Sequence, residues 1–156
     1  MLLIFDLDDT LYDRTGQVPD NYTDEDINRI VPFSGVREFL TVFTGKKVLV
    51  TTETVPGLQY RKIEVLQLRP YFDQIMLCHS PQEKKNCFQQ AASLFSSQDV
   101  WVIGDRTDVD IKFGKECGFK TVWLRQGKYS RREPQDYWEI PDYEISSFSE
   151  LSEIIT

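Results

Sequence analysis

"LLIFDLDDT", residues 2–10, runs four apolar residues straight into three carboxylates, Asp6, Asp8 and Asp9. Leu2 to Phe5 shows no alternation of apolar and polar side chains, the pattern of a strand covered on both faces. Acidic groups this close repel one another unless something positive lies among them. The stretch therefore reads either as a solvated turn or as half of a cation site. If the chain stays extended through Leu7, the twofold repeat of a strand points Asp6 and Asp8 to the same side.

Outward from this stretch the same kind of run recurs: "KVLV" (47–50), "QIMLC" (74–78), "VWVIG" (100–104) and "TVWL" (121–124). Helical patterns separate the runs. Val36, Phe39, Leu40 and Phe43 fall at helical spacing, as do Ile63 and Leu66 in "PGLQYRKIEVLQL" (56–68), a helix that Pro56 is expected to open. Ser80, Pro81 and Glu83 spell an N-cap, a first-position proline and a capping box. "TDVDIKFGKECG" (107–118) ends in Gly118, a helix C-cap. This alternation predicts an α/β fold, a Rossmann-like three-layer sandwich with a central parallel sheet. Two segments break the rhythm, residues 13–33 and 125–142. The first, roughly 20 residues, is too small for a domain. It is expected as an insertion beside the end of the first strand, with a short helix at "TDEDINRI" (23–30).

With 156 residues, 40% of them hydrophobic and 28% charged, the expectation is one domain over 1–156 that includes the small 13–33 insertion. A formal charge of -7 argues against nucleic acid or an anionic membrane as partner. No apolar run approaches the roughly 20 residues of a membrane span, and Met1 to Phe5 is too short for a signal peptide. The expected location is the cytoplasm. Cys78, Cys87 and Cys117 contain no C-x-x-C pair and read as free thiols. His79, the sole histidine, excludes a multi-histidine metal site and is expected in a loop or at a strand end.

Open parallel sheets bind ligands at the carboxyl ends of their strands, and the informative polar residues fall there. Asp6 and Asp8 follow the first run, Thr51 the second with Thr52 as competitor, Lys84 the third, and Asp105 the fourth. A lysine in the first turn of a helix opposes the dipole, so Lys84 is not there for stability, although Lys85 stands beside it. Asp6, Asp8 and Asp105 offer hard oxygen ligands of the kind that suits Mg2+.

These residues resemble the haloacid dehalogenase-like (HAD) superfamily of phosphotransferases, in its minimal-cap form. "FDLDDTL" (5–11) is similar to its first motif, "VLVT" (48–51) to the second, Lys84 within "EKKNCF" to the third and "VIGDRTDVD" (102–110) to the fourth. The ending "PDYEISSFSEL" (141–151) resembles the last strand and helix of many members. The resemblance implies a Mg2+-dependent phosphomonoester hydrolase that acts through an aspartyl phosphate. Asp6 is then the nucleophile and Asp8 the general acid and base. Mg2+ is held by Asp6, the main-chain carbonyl of Asp8, and Asp105. Thr51 and Lys84 hold the phosphoryl oxygens, and Asp110 or Asp108 supports the metal.

Many relatives carry a large cap domain, whereas here only 13–33 and a compact segment between Thr51 and Lys84 are available. An open site suits a phosphorylated small molecule, with an oligomer partner closing it, or an accessible phosphate on a macromolecule. Arg131 and Arg132, in the basic run "RQGKYSRR" (125–132), are candidate substrate-binding residues. A catalytically weak binding or regulatory protein and a phosphomutase are the alternative readings.

Overall fold

The computed structural model describes residues 1–155. Six strands form one sheet, β1 (Leu2–Phe5), β2 (Lys46–Thr52), β3 (Gln74–Cys78), β4 (Val100–Gly104), β5 (Lys120–Leu124) and β6 (Tyr143–Ile145). Seven short helices accompany them: α1 (Arg14–Gln17), α2 (Asp24–Asn28), α3 (Val36–Val42), α4 (Leu58–Val65), α5 (Lys84–Leu94), α6 (Lys112–Glu116) and α7 (Leu151–Ile154). The strand order is β3-β2-β1-β4-β5-β6, and every pairing is parallel.

Burial explains why the strands carry so little polar alternation. On one face Leu3, Phe5, Leu49 and Ile103 pack with Leu40 of α3, Ile63 of α4 and Leu151 of α7. On the other, Leu2, Ile4, Val48 and Val102 pack with Phe88 and Ala91 of α5, against Phe113 of α6. Successive residues of β1 thus enter opposite cores, the consequence of a period of two in a sheet covered twice. The result is the three-layer α/β sandwich that the sequence predicts.

Strand order places the ligand cleft. From β1 the chain crosses to β2 and β3 on one side and then to β4, β5 and β6 on the other, so the crevice opens between the carboxyl ends of β1 and β4. Asp6 directly follows β1, and its amide still donates to the carbonyl of Ile103 at 3.0 Å. Asp105 directly follows β4.

Three local expectations change. The helix in 56–68 begins at Leu58 rather than at Pro56, because the chain turns left-handed at Gly57, with φ of 80°. The capping box at Ser80 does not form. Pro81–Glu83 make a tight 3₁₀ turn, Ser80 caps nothing with its side chain, and the Glu83 carboxylate accepts instead from the amide of His79 at 2.8 Å. Finally, the helical run from Thr107 opens with a wide turn, in which the amide of Ile111 reaches back to the carbonyl of Arg106 at 3.2 Å, before α6 and Gly118 follow.

The 13–33 segment carries α1 and α2, the latter capped reciprocally by Thr23 and Asp26. Its two ends are tied together where the amide of Phe33 donates to the carbonyl of Leu11. Among the described residues no helix is long and apolar enough to cross a membrane.

Candidate active site

At the mouth of β1, the Asp6 carboxylate accepts from the Lys84 ammonium at 2.7 Å, and the same ammonium donates to Asp110 at 2.8 Å. Lys84 stands first in α5, and all three side chains are buried. Asp110 comes so close because residue 104 is glycine: a Cβ there would lie 2.4 Å from the Asp110 carboxyl carbon. The wide turn at 107–111 completes the approach, and the amide of Arg106 donates to the other Asp110 oxygen at 3.3 Å.

Carboxylate oxygens of Asp6, Asp105 and Asp110 lie within 4.8 Å of one another. Three buried carboxylates thus face one ammonium. Burial, only partly offset by Lys84 and increased by Asp110, pushes the Asp6 carboxyl up to about 6. Burial and the neighbouring Asp6 and Asp110 charges raise Asp105 well above the carboxylate range. Lys84, although burial works against its charge, is raised by Asp110 and Asp6. A surplus of hard, negatively charged oxygens in a small buried space is the donor set of a divalent cation such as Mg2+, so the residues fit one.

Asp8 has a different environment. Its Oδ1 accepts from the Lys62 ammonium at 2.8 Å and from the Tyr12 hydroxyl at 2.5 Å, and its Oδ2 from the Gln59 amide at 3.0 Å. Burial pushes Asp8 up, but Lys62, Tyr12 and Gln59 outweigh it and hold the carboxyl below its ordinary value. Thr51, buried at the end of β2, accepts from the same Gln59 nitrogen at 2.7 Å.

These groups line one cleft of about 450 Å3. Arg14, Thr15, Val18 and Tyr22 of the 13–33 segment form one wall, and Arg106, Lys128 and Tyr129 another. The segment is tied to the opposite loop: the Asp9 carboxylate accepts from the amide and hydroxyl of Thr15 at 2.8 and 2.7 Å, and the Thr15 hydroxyl accepts from the amide of Lys128 at 3.0 Å. A larger cavity of about 800 Å3 opens at the amino ends of the strands, beside Met1, Phe39 and Phe43. It contains none of the charged groups just described.

Several sequence choices are sorted by this geometry. Asp110 enters the carboxylate cluster, while Asp108 turns away to pair with Arg106 at 2.8 Å. Lys84 enters, while Lys85 pairs with Glu116 at 2.9 Å. Thr51 is buried in the site, and Thr52 also lines the cleft. Neither Arg131 nor Arg132, the candidate substrate-binding residues of the basic run, lines the cleft. Arg132 is held by Glu139, whose buried carboxylate it neutralises at 2.5 Å, and by the Thr107 hydroxyl at 2.7 Å, while Arg131 is exposed outside the cleft. From the basic run only Lys128 and its neighbour Tyr129 reach the cleft.

Sequence reasoning missed Gln59, Lys62 and Tyr12. A signal existed. Positions 59, 62, 63 and 66 form a single helical stripe, of which Ile63 and Leu66 are core, so Gln59 and Lys62 occupy buried positions with polar groups.

Comparison with known proteins follows the same lines. The family model described as HAD-hydrolase-like matches residues 84–151. Glyceraldehyde 3-phosphate phosphatase of Pyrococcus furiosus is 32% identical over 111 residues, 68% of this chain and 46% of that protein. The chain belongs to the haloacid dehalogenase-like superfamily. N-acylneuraminate-9-phosphatase of Mus musculus is 30% identical over 115 residues, 70% of this chain and 45% of that protein. The chain thus spans about half the length of the curated relatives it matches. Among solved structures, the HAD-hydrolase YfnB of Bacillus subtilis bound to magnesium superimposes with a TM-score of 0.71 at 17% identity, over 98% of this chain and 97% of that one. At that identity the likeness concerns the HAD fold alone.

Proposed function

We propose that the protein is a Mg2+-dependent phosphomonoester hydrolase that works through an aspartyl phosphate on Asp6. The observation that carries the proposal is the buried Asp6 carboxylate at a strand end, 2.7 Å from Lys84 and within 4.8 Å of two further carboxylates. That is a nucleophile of the right chemistry beside groups able to take a phosphoryl dianion.

In the transfer step the Asp6 oxygen bonds to phosphorus while the bond to the leaving oxygen breaks, and Asp8 gives that oxygen its proton. A dianionic phosphate entering beside Asp8 raises the proton affinity that Lys62 and Tyr12 hold down. Asp8 then takes a proton from the water that cleaves the acyl phosphate. Thr51 and Lys84 hold the phosphoryl oxygens. A bound divalent cation, held by Asp6, Asp105 and the main-chain carbonyl of Asp8 with Asp110 in support, supplies charge neutralisation between anionic nucleophile and anionic substrate.

The substrate class is a phosphorylated small molecule, in keeping with the names of the relatives, and the cleft of about 450 Å3 is of a size for one. The free thiols suit a cytoplasmic protein. Phosphate release from a panel of small phosphomonoesters, with Mg2+ and with excess chelator, tests the reading. Turnover that needs the cation supports it, whereas no release from any member, or full release in chelator, counts against it.

A further inference from the structure

Neither Lys62 nor Gln59 bonds to phosphorus or carries a proton in the steps above, yet both are buried and both aim at the site. Lys62 has one carboxylate partner, Asp8, and its side chain is only 5% exposed. Gln59 uses its amide nitrogen twice, on Asp8 Oδ2 at 3.0 Å and on Thr51 Oγ1 at 2.7 Å. With Tyr12 on Oδ1, the two oxygens of Asp8 receive three donors from two directions.

We infer that Gln59 and Lys62 are positioning residues for the proton transfer by Asp8, with Gln59 setting its distance from the phosphate-binding hydroxyl of Thr51. The inference rests on the phosphatase reading. The geometry favours it over a plain helix anchor. Apolar residues already anchor α4, since Ile63 and Leu66 on the same stripe are in the core. A glutamine and a lysine at i and i+3 add no packing that leucines would not provide. What they add is direction. A carboxylate on a strand-end loop is free to rotate, and a donor on each of its oxygens fixes the plane in which its proton is delivered.

The signature is a dependence on the leaving group. An alkyl phosphomonoester expels a poor leaving group that needs the Asp8 proton as the bond breaks. A nitrophenyl phosphate expels an anion stable enough to leave with little help. The parameter kcat/KM reports steps up to the transfer from substrate, so later cleavage of the acyl phosphate does not blur the comparison.

The experiment compares wild type, Lys62→Met, Lys62→Arg and Gln59→Met on glycerol 3-phosphate and p-nitrophenyl phosphate in Mg2+. The expected result is that Lys62→Met and Gln59→Met each lose at least about tenfold more kcat/KM on the alkyl ester than on the nitrophenyl ester, within the 10²–10⁴ range of general acid catalysis. Lys62→Arg should restore part of that difference. Equal losses on both esters, with wild type active on both, overturn the positioning role and leave the phosphatase reading standing. A wild type inactive on both overturns that reading and this inference together. Should Lys62→Met not fold, Gln59→Met, which strands no buried charge of its own, decides the matter alone.

Discussion

Replacing Lys84 with methionine removes the one ammonium that touches Asp6 and Asp110, while the methionine stem fills most of the space the lysine held. The lysine side chain is 5% exposed, so its charge is replaced neither by water nor by salt. Breaking a buried pair by removing one partner costs about 3–5 kcal/mol, because the other charge stays behind uncompensated. For a chain of this size that corresponds to a fall in Tm of about 6–20 °C. The loss depends on pH, and the sign follows from Asp6. Burial holds its carboxyl at about 6, above the ordinary 3.8, so the folded state binds the proton more tightly than the unfolded one. Stability is therefore gained as pH falls through the folded value towards the unfolded one, and lost as pH rises through it. Without Lys84 the upward push is stronger still. In excess chelator the deficit of Lys84→Met should thus be large near pH 8 and markedly smaller near pH 5, where protons take over the role of the ammonium. Mg2+ should restore part of the loss near pH 8. Thermal unfolding of both proteins under the three conditions provides the test. A fall of less than about 3 °C near pH 8 in chelator, or the same deficit at both pH values, would refute the electrostatic account of the cluster.

Asp6→Asn should abolish phosphate release yet raise Tm in chelator, because it removes one of three crowded carboxylates; release assays and thermal melts check both halves. Gly127 has φ of 72°, and a Cβ there would lie 2.3 Å from the Asp9 carboxyl carbon that is part of the link to Thr15. Gly127→Ala should therefore lower stability by about 1–3 kcal/mol and raise KM more than it lowers kcat, as the 13–33 wall comes loose. Arg132→Ala should lower Tm by several degrees, since the buried Glu139 carboxylate loses its partner, while KM for a small phosphomonoester stays within about twofold of wild type.

The core of the fold was legible because strands buried on both faces write unbroken apolar runs, and five of the six strands announced themselves in that way. The sixth, Tyr143–Ile145, is three residues long with two of them exposed, and only its likeness to the ending of other chains marked it. The acidic pair of the fourth motif illustrates the limit. Asp108 and Asp110 are two apart in a segment that reads as helix, where neither shares a face with the other. The choice was made by the wide turn at 107–111 and by the missing Cβ at Gly104, neither of which has a periodicity to read. Arg132 shows another limit. A basic run looks like a ligand surface until its partners are known, and Glu139 seven residues later claims the guanidinium. Gln59 and Lys62 were overlooked because polar residues in a short helix are ordinarily its wet face, although their stripe was the buried one.

The central claim is a covalent bond between phosphorus and Asp6. Rapid acid quenching of the protein during turnover of a phosphomonoester in Mg2+, followed by mass spectrometry of the peptide that contains residues 1–14, measures it most directly. The account predicts a mass gain of one phosphoryl group, located on Asp6 and absent from Asp6→Asn. Steady release of phosphate from a protein whose Asp6 peptide never gains that mass would contradict it.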